Sequence, residues 1–366
     1  MKIQDITHFL ETIAPLSLQE SYDNAGLITG NGLWECSGVL TTLDATEAIV
    51  EEAKANQCNL IVAHHPIVFG GLKKINGKNY VERAVIAAIK ADIAIYAIHT
   101  NLDNVFDGVS GKMATLLGLN DCRILEPKNN ILKKLITFVP KEQAEIVRTA
   151  LFAAGAGHIG NYSECSFNVL GEGTFNGNAS TQPFVGTPGV IHTEAEIKIE
   201  TLYPIWLETK IVQALKAVHP YEEVAYDLVA LTNQHQAIGS GIIGKLENPI
   251  SEAETLALIS EKFNQKHIRH TPLTGKKVQQ IAVCGGAGSF LIKKALSAGA
   301  DFYVTADVKY HEFFDAENQM VVADIGHYES EQFTIELIFD VLREKFPNFA
   351  VLKTRLNTNP VQYFQA

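Results

Sequence analysis

Two imidazoles stand side by side in Ala63-His64-His65-Pro66, directly after the apolar run Leu60-Ile61-Val62, where a chain leaving a sheet would present them. Pro66 restricts His65 to an extended or turning backbone. Imidazole is the commonest metal ligand at neutral pH. A pair of hydrogen-bonded loop histidines is the plainer reading of the dipeptide alone, so the residues that join it decide its chemistry. The next apolar run, 93–98, closes in His99-Thr100-Asn101-Leu102-Asp103, which brings another imidazole and a carboxylate to the same sheet edge, and one of the two is expected to join the cluster. Asp103 would otherwise form a turn or cap the helix expected from about residue 108. Far along the chain, Gly326-His327-Tyr328-Glu329-Ser330-Glu331 spaces His327 and Glu331 by four where a helix begins, on one face, so that the pair can share a metal. Glu329 lies off that face and suits the positive end of the helix dipole.

His64, His65, Asp103, His327 and Glu331 make three imidazoles and two carboxylates. That exceeds a single tetrahedral centre with an open position and suits two metals bridged by a carboxylate. Nitrogen and oxygen donors without sulfur admit Zn, Fe, Mn, Co or Ni, and affinity order does not choose among them. Gly285-Gly286-Ala287-Gly288-Ser289 follows a strand and opens a helix, so Gly286 and Ser289, with Lys309, are candidates to hold an anion. It has neither Walker nor G-x-G-x-x-G spacing, and a tight turn is an equal reading. Tyr22-Asp23-Asn24-Ala25-Gly26-Leu27 and Lys309-Tyr310-His311-Glu312 are polar and aromatic clusters that either orient a substrate or form a turn and a helix start. His219-Pro220-Tyr221-Glu222-Glu223 reads as a tight, interface-forming turn with no catalytic role.

Strands must position these residues. Between 37 and about 118, strands at 39–43, 60–63 and 93–98 alternate with helices at 46–56, 80–91 and 108–117. That is the rhythm of βαβ units and a largely parallel sheet covered on both faces. It returns near the C-terminus, with strands at 280–284, 302–305 and 320–323 and helices near 288–298, 309–317 and 329–345, and the two ends together can make one sheet. In open α/β sheets the ligand crevice lies outside the carboxyl ends of the strands, where His64, His65, His99, Asp103, Asp307 and His327 fall. Between them the texture changes: strand 132–139, helix 141–154, strand 166–170, a polar stretch 171–189, strand 193–200, helix 207–218 and strand 224–230. That βαββαβ order is the ferredoxin-like α+β unit. The expected architecture is an α/β domain in two parts, 1–126 and 233–366, interrupted by an inserted domain at 127–232.

Composition limits the function. At ~150 residues per domain, 366 residues favour two or three units, and 46% hydrophobic against 19% charged residues excludes a disordered chain. Thirty Lys and Arg against 41 Asp and Glu, a net charge of -11, is the wrong sign for coating a phosphate backbone, so bulk nucleic-acid binding is not expected. Cys36, Cys58, Cys122, Cys165 and Cys284 are scattered without a C-x-x-C pair, which fits reduced thiols in a cytoplasm and offers no thiolate metal site. Residues 2–14 place Ile3, Ile6, Phe9, Leu10 and Ile13 at helical spacing among acids, an amphipathic helix and not a signal peptide. The longest apolar stretch, 84–98, is broken by Lys90 and Asp92, and a bilayer span needs ~20 residues, so no membrane crossing is expected.

Taken in order, six motifs resemble, essentially end to end, the Nif-three-like family, also called the GTP cyclohydrolase I type 2 family of dinuclear-metal proteins. They are the segments opening at Tyr22, Ala63, His99 and Gly285, then Thr305-Ala306-Asp307-Val308-Lys309-Tyr310-His311, and the segment opening at Gly326. The resemblance implies two divalent metals held by His64, His65, Asp103, His327 and Glu331, with Glu331 as the bridge, and a toroidal homohexamer with sites facing an internal cavity. It also implies that 127–232 is similar to the PII- or CutA-like insert of longer bacterial members, of which His219-Pro220-Tyr221-Glu222-Glu223 is a mark. The expected function is a metal-dependent hydrolase acting on a nucleotide or related small molecule, with His99 or His311 moving protons. The alternative is a non-catalytic metal-binding scaffold or regulator whose insert senses a small molecule or gates the cavity. A metal site does not by itself define a substrate.

Overall fold

Short strands of Val, Leu, Ile and Ala gain most when both faces are covered, and the N-terminal strands sit that way. Val39–Thr42, Leu60–Ala63 and Ala94–Ala97 are buried at every position and run parallel. Gly26–Thr29 joins one edge antiparallel and Val351–Lys353 joins the other in parallel, which completes a five-stranded sheet. Helices Glu47–Ala55 and Tyr80–Lys90 pack Ile49, Val50 and Val85 against Ile61 and Ile95. Each begins at a side-chain cap, Thr46 accepting from the Ile49 amide and Asn79 from the Glu82 amide, contacts worth about 1 kcal/mol apiece. The computed structural model describes residues 1–364.

A second sheet has six strands in the order Arg269–His270, Val321–Asp324, Phe302–Ala306, Lys277–Ala287, Gly239–Ser251, Asn120–Pro127. Its three central strands are parallel and the others antiparallel. The strands 39–42, 60–63 and 94–97 therefore lie in one sheet and the strands 277–287, 302–306 and 321–324 in another, which corrects the expectation that the two sets make one sheet. Val351–Lys353 occupies the free edge of Val39–Thr42, and Gly239–Ser251 with Asn120–Pro127 occupies the free edge of Lys277–Ala287, so the edges that could have joined are filled. The expected helix at 329–345 is two, His327–Glu331 and Thr334–Lys345, and that at 309–317 is the tighter 3₁₀ turn Tyr310–Ala316.

The chain divides into two compact units, Met1–Pro127 with Ala237–Ala366, and Lys128–Gln236. In the second, strands Leu132–Pro140, Ser166–Phe175, His192–Pro204 and Tyr226–Leu231 form an antiparallel sheet in the order second, third, first, fourth. Helices Ala144–Ala153 and Glu208–Val218 cover one face, packing Val147, Leu151, Ile211 and Leu215 on Leu135, Val139, Ile199 and Tyr203. Among the described residues no helix is long and apolar enough to cross a membrane.

Candidate metal centre

Both sheets of the larger unit deliver polar side chains to one place from the carboxyl ends of their parallel strands. Leu60–Ala63 runs into His64 and His65, and Ala94–Ala97 into His99 and the short helix Thr100–Asp103. Val321–Asp324 runs through Gly326 into the helix His327–Glu331. Three overlapping groups result, each with ligand atoms within 4.8 Å of one another: His64, Asp103 and Glu331; His65, His327 and Glu331; and His64, His65 and His99. Glu331 is buried, and its two oxygens face different neighbours. Oε2 lies 2.9 Å from His65 Nε2 and 3.1 Å from His327 Nε2, while Oε1 lies 3.8 Å from His64 Nε2, which is 3.6 Å from Asp103 Oδ1. Ligand atoms around a tetrahedral ion with ~2.1 Å bonds sit about 3.4 Å apart, close to these spacings.

Each of the four histidines is held through Nδ1. His64 donates to the Ile98 carbonyl at 2.8 Å, His65 to Asp44 at 2.8 Å, His99 to Asp23 at 2.8 Å and His327 to Asp307 at 2.7 Å. Such tethers fix the tautomer and leave Nε2 for a ligand role. The case is clearest at His64, because a carbonyl only accepts, so Nδ1 carries the hydrogen and Nε2 is a bare lone pair. Among the described residues, His64 Nε2 and Asp103 Oδ1 are buried without a hydrogen-bond partner. Orphaned buried polar atoms cost free energy, and a cation between an imidazole nitrogen and a carboxylate oxygen would satisfy both. The donor set fits a divalent metal.

Electrostatics agree with that fit. Burial pushes the His64 imidazole down, which keeps it neutral as a ligand must be. Burial and then the Glu331 charge push Asp103 well above the usual carboxylate range. Burial opposes charge on His65, yet Asp44 and Glu331 outweigh it and raise His65 to about 9; at His327 burial is likewise outweighed, by Asp307 and Glu331, which raise it to about 11. Burial alone would raise Glu331, but hydrogen bonds from His327 and His65 hold it far below its ordinary value. Cations entering this cluster displace those protons.

Gly286 serves the cluster through its size. A Cβ there would collide with Glu331 Oε1, and its φ of 61° lies in the left-handed region that favours glycine. Its amide donates to Ser330 Oγ at 3.0 Å, and the Gly288 amide donates to Thr305 Oγ1 at 3.0 Å, so neither points at a free anion. Ser289 opens the 3₁₀ turn Ser289–Leu291, and Lys309 is exposed, its amide bonded to Glu312 at 2.7 Å. His311 packs among Tyr310 and Phe314 and belongs to none of the three donor groups. Asp44 escaped the sequence reading, although it follows the strand Val39–Thr42 by the same logic that singled out His64. Asp23, in the Tyr22 motif, bonds His99 and Thr100; burial opposes its charge, but those bonds lower it to about 2.

The model of the Duf34/NIF3 (NGG1p interacting factor 3) family matches residues 1–360. The chain belongs to that family. A Halalkalibacterium halodurans protein named GTP cyclohydrolase 1 type 2 homolog is 38% identical over 365 residues, 98% of this chain and 98% of its own. A Bacillus subtilis protein of the same name is 37% identical over 89% of this chain and 88% of its own. Among solved structures, a Bacillus cereus protein related to NIF3 superimposes with a TM-score of 0.86 at 35% identity, covering 100% of this chain and 99% of the other. The mixed α/β architecture is thus one that the family also adopts.

Proposed function

We propose that the chain is a dinuclear metal-binding hydrolase of the GTP cyclohydrolase 1 type 2 kind, acting on a nucleotide or related small molecule. What carries the reading is the division of Glu331 between two donor groups, with His64 Nε2 and Asp103 Oδ1 buried and unpartnered. His64 and Asp103 would hold one divalent ion, His65 and His327 the other, with Glu331 bridging. Ions held there supply Lewis acidity and a lowered water pKa, chemistry that suits hydrolysis at an electrophilic carbon or phosphorus. His99, oriented by Asp23, carries the proton beside them, and His311 is the second candidate for that role. A cleft of about 420 Å³ beside His65 and His327, walled by Arg269, Tyr328, Asn359 and Tyr363, receives the substrate. Ser289 and Lys309 are assigned to an anionic group on it.

The same reading makes 127–232 a ferredoxin-like, PII- or CutA-like insert, supported by its βαββαβ order and its sheet order of second, third, first, fourth. It further makes the chain a cytoplasmic homohexamer. Elemental analysis of protein purified without chelator, with His64→Ala and Glu331→Ala alongside, tests the centre, followed by incubation with GTP and product identification. About two ions per chain, lost in the variants, with a ring-opened product, are expected. Two ions without turnover would move the reading to the non-catalytic scaffold, and no ion would overturn it.

A further inference from the structure

His219-Pro220-Tyr221-Glu222-Glu223 has no part in the metal centre. Within the Lys128–Gln236 unit its last three residues help to wall a cavity of about 600 Å³, a size that takes a small organic molecule. Four aromatic rings line it: Phe138, Phe175, Phe184 and Tyr221. The Phe175 and Phe184 rings lie 6.1 and 6.5 Å from that of Tyr221. The Glu222 carboxylate accepts the Gln182 amide at 2.9 Å and so ties the loop that carries Phe184 to the rim.

Among these rings lies one buried acid. Glu196, on the strand His192–Pro204, is only 8% exposed. Its Oε1 accepts the Tyr221 hydroxyl at 2.7 Å, and its Oε2 takes no hydrogen bond among the described residues. The carboxylate lies across Gly173, where a Cβ would collide with Oε2, so the small residue makes room for the acid. Oε2 is not one of the fully buried unpartnered atoms among the described residues, so this oxygen reaches the cavity, where its charge is open to a cation. The local charge favours one. Glu172, Glu222 and Glu223 share the lining, while the one lysine there, Lys198, is paired with Glu200 at 2.5 Å. A divalent metal is the poorer match, because every three-donor group among the described residues lies in the other unit. Aromatic faces attract organic cations, and an apolar wall binds the body that carries the charge.

We propose that this cavity binds an organic cation, a primary ammonium on an aromatic or apolar body. The ammonium sits at Glu196 Oε2 and the body lies among Phe138, Phe175, Phe184 and Tyr221. The site is independent of the metal centre, so its failure and that of the hydrolase reading are separate results.

The test is calorimetric titration of the full-length, metal-loaded protein with phenethylamine, with phenylacetate and 2-phenylethanol as anionic and neutral counterparts. Saturable binding of the amine is expected, at least ~10-fold tighter than either counterpart and weakened at least ~10-fold by Glu196→Gln. Phe184→Ala, on an exposed loop where the fold does not depend on it, should weaken the amine several-fold, and circular dichroism of both variants checks that the unit is intact. Equal affinity for 2-phenylethanol, unchanged affinity in a folded Glu196→Gln protein, or no saturable binding of the amine up to about 10 mM would each overturn the proposal.

Discussion

Glu331 and Glu196 are both buried acids, 3% and 8% exposed, yet their surroundings are opposite. Around Glu331 stand three imidazoles, each turned by an Nδ1 tether so that Nε2 faces the carboxylate. Around Glu196 stand one tyrosine hydroxyl and a set of aromatic rings. A carboxylate ringed by oriented nitrogen donors is matched to a compact, multiply charged ion, because several directional bonds share the desolvation cost. A carboxylate ringed by hydrocarbon is matched to a single charge on an apolar body. The groups around each acid, not the acid itself, set which cation fits it.

Glu331→Gln and Glu196→Gln should break this comparison most sharply. In metal-free protein the Glu331 charge lies against His65 and His327, both held protonated to high pH, so neutralising it leaves each imidazolium with one carboxylate, Asp44 or Asp307, in place of two. A loss of about 1–3 kcal/mol is expected, seen as a fall in the thermal unfolding midpoint, together with loss of bound metal. Glu196→Gln removes no such partner and keeps the acceptor for Tyr221, so its cost should stay below about 1 kcal/mol. Equal losses in the two variants would show that burial alone governs both sites.

Leu151→Ala separates the two regions from another side. Leu151 is fully buried in the smaller unit, between its sheet and helices. Removing three carbons there should cost about 2–4 kcal/mol and lower the unfolding midpoint of that unit. Metal content by elemental analysis should not change. A fall in bound metal would mean that the centre depends on the packing of the smaller unit.

Much of the centre's layout is readable because each donor ends an apolar run or sits at helical spacing. His64 and His65 follow Leu60–Ala63, and His327 and Glu331 share one helix. The two-sheet arrangement is not readable, since the strands that separate the sheets hide their pattern. Asn120–Pro127 is buried only at Ile124 and Leu125, and Gly239–Ser251 opens with Gly239-Ser240-Gly241, a poor strand signal. Nor can periodicity show a tether that closes over a long separation. Thr358 donates to Asp44 Oδ2 at 2.5 Å across 314 positions, and Asp44 in turn holds His65.

That tether makes Asp44→Asn the next test. The amide can still accept from His65 Nδ1, but without the charge that makes the imidazole a stronger ligand. Metal affinity by competition with a chelator should fall about 10–100-fold while fold and cavity stay as they are. An unchanged affinity would mean that His65 is oriented by its backbone and Pro66 alone.

The smallest expected effect lies at Glu208, in the same unit as the cavity but away from it. Its carboxylate accepts Lys133 Nζ at 2.6 Å and the Tyr203 hydroxyl at 3.0 Å. The Lys133 bond holds it below the usual carboxylate range, against a partial burial that acts the other way. A depressed acid contributes stability above its unfolded pKa of ~4.3 and loses that contribution as the pH falls through its folded value. Both partners reach solvent, so the contribution at neutral pH is only a few tenths of a kcal/mol. Urea unfolding followed through Trp206, in a Trp34→Phe background, reads this unit alone. Glu208→Gln should lower the midpoint slightly at pH 7, and the difference should vanish as the pH falls through the folded value, where the native residue itself loses its charge. A penalty that persists once the native carboxylate is protonated would assign the effect to the Tyr203 hydrogen bond, so that even a partly exposed acid in this unit would act through its neutral contacts.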